Sequence, residues 1–121
     1  MTDNANNGKV TLAPDVLLTI ARMAALGVEG VSRMSPVKTS VNRFLRRTEV
    51  DGVDVEVEDD VVYVELYLIL KSDVNVREVS RNVQAHVTRA ISEMVGMEVG
   101  HVNVHIEDVE YPAEADQTDK A

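Results

Sequence analysis

Hydrophobic and polar residues alternate most regularly between Val53 and Lys71. Val53, Val55 and Val57 interleave with Asp54, Glu56 and Glu58, and Val62, Val64, Leu66, Leu68 and Leu70 with Tyr63, Glu65, Tyr67, Ile69 and Lys71. A period of two puts one set on each face of a strand. Glu58-Asp59-Asp60 between the runs predicts a turn, and hence a β-hairpin. Val102, Val104 and Ile106 alternate with His101, Asn103, His105 and Glu107 and predict another strand. The parity changes at Val109 and Tyr111, so a bulge or an end is expected near Asp108. Val10 and Leu12 in Gly8–Ala13 predict a short first strand.

Two stretches carry helical spacing instead. Pro14 suits a first helical position, where no amide proton is needed, and Asp15 suits the positive end of the helix dipole. Val16, Ile20, Met23 and Gly27, flanked by Leu17, Ala21 and Ala24, predict an amphipathic helix ending at Gly27. In the second, Asn75 with Glu78 three residues on resembles a capping box, and Gly96 suits a left-handed cap. Between them Val76, Val79, Val83, Val87, Ala90, Ile91 and Met94 form one stripe. Ser32–Val50 is the least regular segment, with one short helix around Val41, Phe44 and Leu45 as its only periodic signal.

The resulting order is β-α-β-β-α-β, an α+β domain in which two helices pack on one face of a four-stranded sheet; a ferredoxin-like arrangement is the simplest form of it. At 121 residues the chain suits one domain. The expected domain spans 8–111, with a polar disordered N-terminus over 1–7 and a disordered acidic tail over 112–121. The N-terminus does not read as a signal peptide, and no apolar run approaches the roughly 20 residues that span a bilayer. With no cysteine, disulfides and thiolate chemistry are excluded, in keeping with a cytoplasmic location.

The net charge of −9 opposes non-specific attraction to nucleic acid or anionic lipid, but its layout is uneven. Arg33, Lys38, Arg43, Arg46 and Arg47 fall in a stretch without an acidic residue, whereas Glu49–Glu65 holds eight acidic residues and no basic one. Such segregation suggests either head-to-tail association of copies into a homo-oligomer, with the basic segment as a partner-binding surface and the acidic hairpin as its complement, or one basic face for an acidic partner. A solvated loop beside a solvated acidic hairpin is the plainer reading. Gly27-Val28-Glu29-Gly30 is a G-x-x-G sequence, which in a KH domain clamps a nucleic-acid backbone; Glu29 inside it would repel phosphate, and a helix cap with a turn is the simpler reading.

His101, Asn103 and His105 share a strand face. Residues four apart on a strand are about 13 Å apart, so a shared ion would need donors from a neighbouring strand such as Glu65 or Tyr67. His86 borders the helical stripe as a partly buried packing residue. The acidic run Asp54–Asp60 lacks the glycine-centred spacing of an EF-hand. No metal site, cofactor or catalytic set is expected, and the chain reads as non-enzymatic.

With these elements placed, Gly8-Lys9-Val10, Val28-Glu29-Gly30-Val31, the helix Val76–Val95 and the run Gly96–Val109 stand out for their order and spacing. In these pieces the chain resembles the bacterial alkaline shock (envelope stress response) protein family. The resemblance implies a cytoplasmic adaptor or self-assembling scaffold of envelope stress, without catalytic residues; some members of the family are held at the membrane by a separate anchoring protein. The family often places a Tyr-Gly pair before the second helix, where this chain has Lys71-Ser72-Asp73.

Overall fold

The computed structural model describes residues 8, 11–36 and 51–111. Its elements are α1 (Pro14–Leu26), β1 (Val31–Met34), β2 (Val53–Glu58), β3 (Val61–Lys71), α2 (Val76–Val95) and β4 (Glu98–Glu110). Two helices against a four-stranded sheet bear out the expected α+β class. One strand lies elsewhere than expected. Gly8 and Thr11–Ala13 are not in a strand, residues 9 and 10 fall outside the described ones, and β1 on the far side of α1 joins the sheet instead. Val10 and Leu12 gave too short an alternation to decide the point; Leu12 is exposed.

β3 is the centre of the sheet. β2 pairs antiparallel with its first half and β1 antiparallel with its second half, while β4 runs parallel along its other side. β1 and β2 therefore lie end to end on one edge. The amide of Ser35 donates to the carbonyl of Tyr67 (2.8 Å), and the amide of Tyr67 donates to the carbonyl of Gly52 (2.9 Å). In an unbroken antiparallel ladder one residue would make both bonds. Here Ser35 and Gly52 share that place, so β1 ends and β2 begins at a single rung of the edge. Gly52 has φ 77°, and a Cβ there would lie 2.8 Å from the Ser35 carbonyl oxygen, so only glycine closes the junction without strain.

The hairpin turns where the sequence places it. Asp59 and Asp60 both have positive φ (53° and 67°), the left-handed pair of a two-residue turn whose twist matches the strands. β4 carries two irregularities. Its register skips Gly100 and again Glu107, and the second bulge, near the expected position, returns Val109 to the core side opposite Leu70.

The core forms between both helices and one sheet face. Val62, Val64, Leu66, Leu68 and Leu70 of β3 are fully buried under Val79, Val83, Val87 and Ile91 of α2 and Leu17, Leu18, Ala21, Ala24 and Ala25 of α1. α2 matches its expected bounds and stripe, except that Val76 and Met94 at its ends are exposed. Asn75 accepts a hydrogen bond from the Glu78 amide (2.9 Å), and Gly96 closes the helix at φ 77°. In α1 the buried face is set one residue round from the expected stripe: Val16 and Met23 face outward. Small residues at 21, 24 and 25 allow α1 to lie close to its neighbours, and packing against α2 outweighs the bulkier Val16–Met23 alternative.

Candidate functional site: the open face of the sheet

The face of the sheet turned away from the helices is not apolar. Strand register sets Asp54, Glu65 and Asn103 in one row across β2, β3 and β4, and Glu56, Tyr63 and His101 in the next; Tyr67 stands opposite His105. Alternation brings these polar and aromatic side chains together because the intervening residues fill the core.

Glu65 is the hub. His105 Nε2 lies 2.6 Å from its Oε1, while Asn103 Nδ2 donates to its Oε2 at 2.8 Å and His101 Nε2 lies 3.4 Å from that same oxygen. Burial pushes the Glu65 carboxyl up, but hydrogen bonds from His105 and Asn103 and the charges of His105 and His101 outweigh it and hold the group below the usual carboxylate range. Tyr67 stacks on His105 with centroids 4.6 Å apart, and Tyr63 meets His101 at 5.0 Å in a tilted pair. Burial, then the charges of Glu65, Asp54 and Glu107, raise the Tyr67 phenol, which stays neutral at physiological pH. Gly100 has no room for a side chain: a Cβ there would enter the Tyr63 ring. The two histidines thus converge on one carboxylate supplied by β3, the neighbouring strand that sequence spacing called for. Among the described residues no group of three or more His, Asp or Glu is placed to hold a metal ion.

Beside this cluster lies an open depression of about 310 Å³ lined by Asp54, Glu56, Glu58, Tyr63, Glu65 and His101. At the other end of the sheet the Ser32 hydroxyl and Arg33 Nε both donate to Glu110 Oε1, at 2.6 and 3.2 Å. The Ser32 hydrogen bond, with that of Arg33 and its charge, lowers the Glu110 carboxyl despite slight desolvation.

Of the basic segment, Arg33 is placed at the end of β1, tied to Glu110; Lys38, Arg43, Arg46 and Arg47, and the short helix expected around Phe44, lie outside the described residues. Gly27, Val28, Glu29 and Gly30 form a packed turn. Val28 and Gly30 are buried, and a Cβ on Gly30 would meet the Val79 side chain at 2.7 Å. The turn presses on α2 and exposes Glu29, so the clamp reading gains nothing from it. His86 is exposed, beside Val28, Asn82, Ala85 and Arg89 in a second shallow depression, and does not pack as expected.

Sequence reasoning missed the Ser32–Glu110 contact, because β1 was not expected, and a row of arginines on α2. Arg77, Arg81 and Arg89 each precede a buried residue by two positions (Val79, Val83, Ile91), about 200° round the helix, and point outward. That spacing was in the sequence, opposite the stripe.

Residues 2–111 match the alkaline shock protein 23 family, described as having a cell envelope-related function. The chain belongs to this family. Among alkaline shock family relatives it is 27% identical to the YqhY protein of Bacillus subtilis (strain 168) over 117 residues, covering 95% of this chain and 87% of that protein. It is 31% identical to the Spy1535 protein of Streptococcus pyogenes serotype M6 over 103 residues, covering 84% of this chain and 79% of that one. A variant of the MamM CTD shares the alkaline shock chain's fold, with a TM-score of 0.53 at 14% identity over 79% of this chain and 95% of that structure. No helix among the described residues is long and apolar enough to cross a membrane.

Proposed function

We propose that the chain is a non-enzymatic adaptor or self-assembling scaffold, cytoplasmic, linked to envelope stress and held near the membrane through an anchoring protein partner. The observation that carries this reading is the open sheet face, where a rigid strand scaffold presents Tyr63, Tyr67, His101 and His105 among carboxylates. Aromatic side chains with fixed rotamers and polar rims are what protein interfaces use. The Glu65 cluster engages its two histidines with a carboxylate, and among the described residues no serine, threonine or lysine stands beside them as a nucleophile. The family's cell envelope-related function supports the location. The basic segment Arg33–Arg47 is a contact surface of this scaffold for an acidic partner.

Affinity co-purification from gently lysed cells, with the membrane fraction retained, tests the reading. Recovery of a membrane protein, lost when Arg43, Arg46 and Arg47 are changed to Glu, is the expected result. Recovery of nuclease-sensitive RNA in its place would overturn it.

A further inference from the structure

The two layers of the domain differ in charge. Outside the core, α1 and α2 carry Arg22, Arg77, Arg81 and Arg89 against Asp15, Glu78 and Glu93. The four strands carry Arg33 and Lys71 against Asp54, Glu56, Glu58, Glu65, Glu98, Glu107, Asp108 and Glu110. The helical layer is therefore slightly positive and the sheet strongly negative, on opposite sides of one thin molecule.

The spacings also agree. Arg77 and Arg81 are exposed, one helical turn apart, about 6 Å along the axis. Glu56 and Glu58 are exposed on one strand face, about 6.8 Å apart. Neither the arginines nor these glutamates make an ion pair among the described residues. Between the carboxylates the depression offers the Tyr63 ring, and a guanidinium is recognised by a carboxylate fork together with an aromatic face.

We propose that the open sheet face of one copy receives the α2 arginine face of a second copy, with Arg77 and Arg81 seated over Glu56, Glu58 and Tyr63. This rests on the scaffold reading and deepens it. It gives the acidic hairpin a complement fixed on a rigid helix, and leaves the segment 37–47 for another partner. Because the two surfaces lie on opposite layers, one pair of copies leaves a sheet face and a helix face unused. The contact is heterologous, and assembly continues to a ring or an open stack.

Sedimentation velocity at low salt tests this with two variants, Glu56→Lys/Glu58→Lys and Arg77→Glu/Arg81→Glu, each first shown by circular dichroism to fold. The wild-type chain is expected to grow beyond a dimer as concentration rises, and each variant alone to associate at least about tenfold more weakly. Mixed together, the variants offer two complementary contacts, native helix face on native sheet face and reversed helix face on reversed sheet face, so assembly is regained in the mixture. If the α2 variant assembles like wild type while Arg43→Glu/Arg46→Glu/Arg47→Glu does not, the α2 assignment is overturned and the scaffold reading survives. A wild-type chain that stays monomeric overturns the α2 assignment, and co-purification then decides separately whether the adaptor reading stands.

Discussion

A single carboxylate organises the open face, and its chemistry sets a pH dependence. The Glu65 carboxyl lies below its ordinary value in the fold, so it binds protons less readily folded than unfolded. Its contribution to stability is then fully present above the unfolded value, near 4.5, and is lost as pH falls through the lowered folded value. Glu65→Gln removes that contribution, so the drop in melting temperature on acidification below about pH 4.5 should be shallower than in wild type. Thermal melts between pH 3 and 7 check this; an unchanged acid limb would mean that other carboxylates dominate it. Gly100 tests the same face by shape. Gly100→Ala must push the Tyr63 ring aside, and loss of the near-ultraviolet tyrosine signal with a destabilisation of about 1–3 kcal/mol is expected.

The elements show what alternation and caps can and cannot reveal. α2 was legible to the residue because every signal agreed: Asn75, the Val79–Ile91 stripe and Gly96. Asn75→Ala should cost about 1 kcal/mol and Ile91→Ala about 2–5 kcal/mol, a ranking that denaturant titration measures directly. The hairpin and the β4 bulge were equally legible, since parity is strict in a strand. α1 was legible in extent but not in orientation. Its small residues decide which face packs, and a pattern weighted by bulk points to Val16 and Met23 instead. β1 was hidden because Val31–Met34 is four residues long, with its burial fixed by pairing to β3 rather than by its own alternation. Glu65 could be named as a neighbour of the histidines, but the register that joins His101 and His105 through it depends on the skipped Gly100.

At the scale of the whole molecule, the edge strand broken at Ser35 and Gly52 separates fold from charge. Both ends of the excursion bond to Tyr67, so the sheet already holds them together whatever lies between. Closing a loop costs little more as it lengthens, about 0.6 kcal/mol for each doubling, and shortening one returns a similarly small amount. Replacing residues 37–50 by a short Gly-Ser linker should therefore leave the sheet signal unchanged, with the loop-closure part of the stability shifting by no more than about 1 kcal/mol. The replacement removes four positive charges and one negative, taking the net charge from −9 to −12. Long-range repulsion between copies then rises, and salt, which screens over about 8 Å at physiological ionic strength, relieves it. Two contributions with opposite salt dependence are separated in this way. In both chains screening relieves the repulsion and weakens the α2–sheet ion pairs, so on first raising the salt the shortened chain, with the larger net charge, should gain more association, or lose less, than wild type. Sedimentation across a salt series distinguishes the two curves. A shortened chain that fails to assemble at every salt concentration would place the essential basic surface in residues 37–50 rather than on α2.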